Sequence, residues 1–254
     1  METQPTAKTK VIRKPTQIFG SDEVHVWRVS FDLSRPETVA TYEVLSADER
    51  QRADRYISEE ARRRFIIARS TLRRILAHYL LSDPADIVFA YNRYGRPVVD
   101  SPVEKRGVVF NLSHSAERAL YAISGGTPVG VDVERMRPLD FTGISKRFFA
   151  PSEASVLAAL PETGKIDAFY ECWTRKEAFV KAQGTGLHLD LNQVVVTLGP
   201  DTPPQVVRIR ESEDGADLWS LHDIDAGEGF KAALAVKSRN IKVIQRDYPA
   251  DAWF

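Results

Sequence analysis

The order in which apolar patterns follow one another constrains this chain more than any single residue: a strand-like run, a helical region and further strand-like runs occur twice. Residues 24–29 (Val-His-Val-Trp-Arg-Val) alternate as a strand does. From Ser46 an arginine-rich region follows, with Phe65, Ile66, Ala68, Leu72, Ile75, Leu76 and Tyr79 at helical spacing, until Asp83-Pro84 breaks it. Residues 87–91 predict a short strand, and Asn92 to Pro97 a turn in which Gly95 permits positive φ. Residues 108–115 and 120–123 predict two more strands before Gly125-Gly126-Thr127-Pro128, which reads as a hinge. The second pass has a strand at 129–134, helices over 144–181, and strands near 194–198, 206–209, 218–222 and 232–236. No residue-level repeat accompanies the doubled layout. The expectation is an α+β chain in two halves, 18–126 and 127–254, behind a polar, basic tail at 1–17.

Composition removes several function classes. Lys+Arg and Asp+Glu both number 35, so no overall charge points to nucleic acid or to an anionic membrane. No apolar run is long enough to span a bilayer. The start has no apolar segment of the kind a secretory signal needs. Cys172 is the only cysteine, which rules out an internal disulfide and fits a reducing compartment. A cytoplasmic protein is expected.

Chemistry concentrates in three places. In Asp132-Val133-Glu134 the acids are two apart, so on a strand both carboxylates share a face. Surface pairing with Arg135 or Arg137 is the plain fate of such a pair. A hard divalent ion such as magnesium is the functional one. In the stretch Trp173 to Gly186, Trp173, Glu177 and Lys181 lie four apart along one helical face, and Gly184 and Gly186 suit its end. By itself that spacing is a surface ion pair beside an aromatic anchor. With Asp132 and Glu134 in view, Glu177 becomes a third oxygen ligand and Lys181 a cation facing phosphates. His114, between Ser113 and Ser115 at a strand end, suits a phosphate or hydroxyl contact. The remaining histidines show no zinc spacing with Cys172, and no Walker loop, G-x-G-x-x-G or G-x-S-x-G is present. Between Ser46 and Arg62 acids are interspersed, but the helix beyond carries only positive charge. A cleft-facing turn of that kind would suit a polyphosphate.

Four motifs in order carry a resemblance. They are Tyr94-Gly95-Arg96-Pro97, Phe110-Asn111-Leu112-Ser113-His114-Ser115, Gly130-Val131-Asp132-Val133-Glu134, and Trp173 with Lys176, Glu177, Ala178, Lys181, Ala182, Gly184 and Gly186. Together with Arg147-Phe148-Phe149-Ala150-Pro151-Ser152-Glu153, the set resembles the Sfp-type 4′-phosphopantetheinyl transferases over residues 46–196. One departure is Glu49, which stands where some members have lysine.

The resemblance implies a pseudo-dimer of two similar α+β halves, with coenzyme A and Mg2+ (or Mn2+) in the cleft between them. The implied reaction moves the phosphopantetheine arm of coenzyme A to a serine of an apo acyl or peptidyl carrier protein. Adenosine 3′,5′-bisphosphate is released, and the enzyme acts as a monomer without nucleic acid or membrane. Asp132, Glu134 and Glu177 match the metal positions and Lys181 the phosphate-contacting lysine. Gly95, Arg96, Pro97, Ser113 and His114 match coenzyme contacts, and Arg62, Arg63 and Arg64 would lie near the 3′-phosphate. Glu177 is the candidate proton acceptor for the serine, kept ionised by Lys176 and Lys181. Lys146, Arg147, Phe148 and Phe149 are candidates to meet the carrier, with a core role the alternative for either phenylalanine. Two rival readings are a magnesium-dependent enzyme that cleaves coenzyme A with water, and a silent relative that only binds coenzyme A or a carrier.

Overall fold

The computed structural model describes residues 20, 22–31, 39–100, 107–184, 190–199, 202–210 and 215–249. The expected tail at 1–17 and the helix-end glycine at 186 lie outside them.

The first half runs β1 (Glu23–Ser30), α1 (Val39–Glu43), α2 (Ala47–Asp54), α3 (Glu59–Leu80), the hairpin β2 (Phe89–Tyr91) and β3 (Pro97–Val99), β4 (Val108–Ser115) and β5 (Arg118–Gly125). The second runs β6 (Val129–Arg135), α4 (Phe141–Phe148), α5 (Pro151–Ala159), α6 (Glu162–Gln183), the hairpin β7 (Val194–Val196) and β8 (Val206–Ile209), β9 (Ser220–Asp223) and β10 (Phe230–Val236). Strand, three helices, hairpin and two strands therefore occur twice. The sheets repeat as well: β1-β5-β4 in the first half and β6-β10-β9 in the second. In both, the helix before the hairpin has 22 residues. The fold is α+β and internally doubled.

One strand breaks the symmetry. β11 (Lys242–Asp247) follows the second half in sequence but pairs in parallel with β1, at the edge of the first half's sheet. Ion pairs at its two ends, Lys242–Glu23 at 3.1 Å and Arg28–Asp247 at 2.7 Å, match its register. A cut at residue 126 thus divides the helices cleanly but leaves the first sheet with a strand from the C-terminal end.

Burial follows the periodicities. α3 starts at Ser58, whose side chain accepts from the Ala61 amide, and ends where Leu81 turns left-handed just ahead of Asp83-Pro84. It buries Leu72, Ile75, Leu76 and Tyr79 against Ala119, Tyr121 and Ile123 of β5. The alternate β5 residues, Leu120 and Ala122, join Val24 and Val26 in a core shared with Val129, Val131 and Val133 of β6. This shared core, buried on both sides, holds the halves together. α6 lies over β6, and Gly130 permits the approach: a Cβ there would come within 2.1 Å of the Ala178 carbonyl oxygen. Any larger residue would push the helix off the strand. Among the described residues no helix is long and apolar enough to cross a membrane.

Candidate active site

β4 and β6, one from each half, are joined through side chains. Residues 111, 113 and 115 share one face of β4 by strand alternation. Asn111 Oδ1 accepts from the Val131 amide at 2.9 Å, Ser113 Oγ donates to Asp132 Oδ1 at 2.8 Å, and Ser115 Oγ donates to Glu134 Oε2 at 2.8 Å. Leu112 and His114 fall on the opposite face and line a cleft of about 510 Å³. Val133, between the two acids, is fully buried in the shared core.

α6 brings its cation to the same place. Lys181 Nζ donates to Asp132 Oδ1 at 2.6 Å and to Ser113 Oγ at 2.9 Å. Glu177, one turn earlier, is partly buried. Burial first, and then the Asp132 charge, raise its pKa above the ordinary carboxylate range despite Lys181. The Glu134 carboxyl is also raised, by burial and by Asp132, with the Ser115 hydroxyl opposing. Lys176 does not help Glu177, contrary to the expectation from sequence. Neighbours on a helix point about 100° apart, and Lys176 is fully buried on the far side, 2.6 Å from Glu153 and bonded to the Leu191 carbonyl. Trp173 is partly buried, stacked on Phe169 and edge-on to Phe148.

The three acids suit a hard cation. All donors are carboxylate oxygens, and two of the three carboxyls are strained toward protonation by crowding and burial. The buried Asp132 Oδ2 has no hydrogen-bond partner among the described residues. No three His, Cys, Asp or Glu side chains among the described residues are gathered as a metal cage.

Of the basic residues singled out from sequence, Arg64 and Arg96 line the cleft, with Gly95, Pro97 and His114. His114 faces the opening. Its pKa is lowered by the enclosing wall and by the Lys181 and Arg64 charges. Arg62 is directed elsewhere, 3.6 Å from Asp54 and 3.7 Å from Glu59. Neither Arg62 nor Arg63 is among the residues lining this cleft. Arg52, Tyr56, Arg69 and Tyr91 also line it, and no motif in the sequence marks them as site residues. Nor is the arginine run uniformly positive in space. Glu49, 2% exposed, accepts from Arg69 Nε and, at 2.6 Å, from Arg73 Nε. Burial pushes its pKa up, but the Arg73 bond and the Arg69 charge outweigh that and leave it lowered. The acid that departs from the resemblance is thus the anchor of α2 on α3.

Comparison with known proteins shows the family. Residues 30–125 match the family model of the 4′-phosphopantetheinyl transferase N-terminal region, and residues 128–235 that of the 4′-phosphopantetheinyl transferase superfamily. The 4′-phosphopantetheinyl transferase HetI of Nostoc sp. is 36% identical over 225 residues, covering 88% of this chain and 92% of that protein. The chain belongs to the 4′-phosphopantetheinyl transferases. The transferase is also 31% identical to Sfp of Bacillus subtilis, covering 80% of this chain and 86% of Sfp. To gsp of Aneurinibacillus migulanus it is 32% identical, with coverage of 74% and 75%. The boundary between the two family models falls at the hinge between β5 and β6, where the element order starts again.

Proposed function

We propose that this transferase moves the 4′-phosphopantetheine arm of coenzyme A to a serine hydroxyl of an apo acyl or peptidyl carrier protein. It would be of the holo-acyl-carrier-protein synthase type, acting as a cytoplasmic monomer. The observation that carries this reading is the convergence of Asp132, Glu134, Glu177 and Lys181 beside an arginine-lined cleft. Acids and a lysine at one point are what a substrate with a pyrophosphate and its counter-ion requires.

The serine oxygen forms a bond to the β-phosphorus while the bond from that phosphorus to the bridging oxygen breaks. Adenosine 3′,5′-bisphosphate departs with the electron pair, and the hydroxyl proton must be taken up. Glu177 is the acceptor in this reading, because α6 carries its carboxylate one turn from Lys181, within electrostatic reach of Asp132 and Glu134. Asp132, Glu134 and Glu177 would hold Mg2+ or Mn2+, which supplies charge neutralisation at the phosphates. Lys181, which reaches Asp132 and Ser113, would add a second positive charge toward the phosphates. Arg64, His114, Gly95 and Pro97, which line the cleft, would orient the nucleotide end. Lys146 and Arg147 are exposed and Phe148 is half-buried at the end of α4, a surface suited to an acidic carrier. Phe149 is stacked on Phe169 in the core and serves packing.

The test is a product analysis without any carrier. With coenzyme A and magnesium alone, no phosphopantetheine should appear in solution. Steady release to water would favour the hydrolytic rival.

A further inference from the structure

Arg96 spends its guanidinium on the protein itself. Nη1 donates to the Lys181 carbonyl oxygen at 2.8 Å, and Nη2 is shared between the carbonyl oxygens of Phe110 at 2.8 Å and Val129 at 3.1 Å. These acceptors belong to α6, β4 and β6, which carry Glu177 and Lys181, Ser113 and His114, and Asp132 and Glu134. The Lys181 oxygen, in the last turn of α6, accepts from the Gly184 amide at 3.2 Å and takes the Arg96 guanidinium as a second donor. The loop bearing Arg96 is itself tied down by hydrogen bonds. Asn92 Oδ1 accepts from the amides of Tyr94 and Arg96 at 2.9 Å each, Gly95 takes φ 78°, and Asn92 Nδ2 reaches the Gly184 carbonyl at 3.4 Å. The hairpin thus grips the end of α6 at the residue whose ammonium reaches Asp132.

We propose that Arg96 is a positioning residue for the second half's acids and lysine, setting where α6 ends against β4 and β6, and not chiefly a contact to the coenzyme. The proposal rests on the transferase reading above, but its decisive measurement needs no turnover. A planar fork with fixed donors suits three convergent carbonyls, and an ammonium also carries three donors. Methionine carries none and leaves all three oxygens without this partner.

The experiment compares wild type, Arg96→Met and Arg96→Lys, with Mn2+ binding measured by electron paramagnetic resonance in the absence of coenzyme. Mn2+ affinity should fall about tenfold in Arg96→Met, because misplaced ligands bind metal less well. In turnover, kcat should fall about tenfold or more with the KM for coenzyme A within about twofold, and Arg96→Lys should restore most of both. If Arg96→Met does not fold, Arg96→Gln, whose shorter amide keeps two N–H donors in place of the guanidinium fork, is expected to show the same direction in both readouts. Wild-type Mn2+ affinity with a raised coenzyme KM in the variant would overturn the proposal and make Arg96 a ligand contact. A wild-type protein that binds Mn2+ but transfers nothing to any carrier would instead fault the functional reading.

Discussion

The ammonium of Lys181 lies 2.6 Å from Asp132 Oδ1, so a cation from α6 and an acid from β6 are joined across the centre of the site. Asp132 is almost wholly buried and Lys181 less than a third exposed, which makes this pair more than surface decoration. Its position beside Glu134 and Glu177 ties the stability of the site to its charge balance.

Removing the ammonium should therefore show in stability as well as in activity. Lys181→Met leaves Asp132 without its cation and is expected to cost about 1–3 kcal/mol in urea denaturation without metal. Added magnesium or manganese should recover more stability in the variant than in wild type, since the metal replaces the missing charge. An identical metal response in the two proteins would refute this role for Lys181.

Glu177→Gln keeps the side-chain volume and removes the charge. Transfer should fall by about a hundredfold or more, the scale of losing a general base, while circular dichroism stays as in wild type. Near wild-type turnover in this variant would end both roles assigned to Glu177.

The Lys176–Glu153 pair predicts a purely structural effect. Both side chains are buried, and Glu153 also accepts from the amides of Ala150 and Val196. Glu153→Leu should destabilise by about 3–5 kcal/mol, because an unpaired ammonium is left inside. Adding Lys176→Met should recover part of that loss, which a double-mutant cycle in urea would measure.

Stability should also fall in mild acid. His25 is buried with Nδ1 2.7 Å from the Tyr79 hydroxyl, which accepts from Trp27 Nε1 and so has its own proton for the imidazole. Burial, then the Arg246 charge, lower the His25 pKa below the ordinary 6.5. The native state thus holds fewer protons than the unfolded state between the two pKa values. Its contribution is complete above about pH 6.5 and is lost as pH falls through the lowered native value. His114 and His222 shift in the same direction. His25→Gln should flatten, without abolishing, the slope of denaturation midpoint against pH in that window. An unchanged slope would exclude His25 as a source.

Much of the site was legible because its signals are local. Alternation puts Asp132 and Glu134 on one face with Val133 in the core, and the four-residue spacing puts Glu177 and Lys181 on one helix face. What escaped was non-local. Lys176 and Lys181 look alike as letters, and only packing sends one to Glu153 and the other to Asp132. The arginines after Arg62 read as one positive surface until Glu49, some twenty residues earlier, closes on Arg69 and Arg73. Strand β11 carries no clean alternation, being half-exposed on both faces, and forms because the β1 edge offers it a ladder. The role of Gly130 was hidden as well, since a glycine needed for helix contact looks like any other in a strand.

The most direct test is the intact mass of apo acyl and peptidyl carrier proteins incubated with the purified enzyme, coenzyme A and magnesium. A carrier heavier by one phosphopantetheine arm is expected, with adenosine 3′,5′-bisphosphate in solution, and neither product in excess chelator. Unmodified carriers across the panel, or transfer undiminished by chelator, would contradict the account.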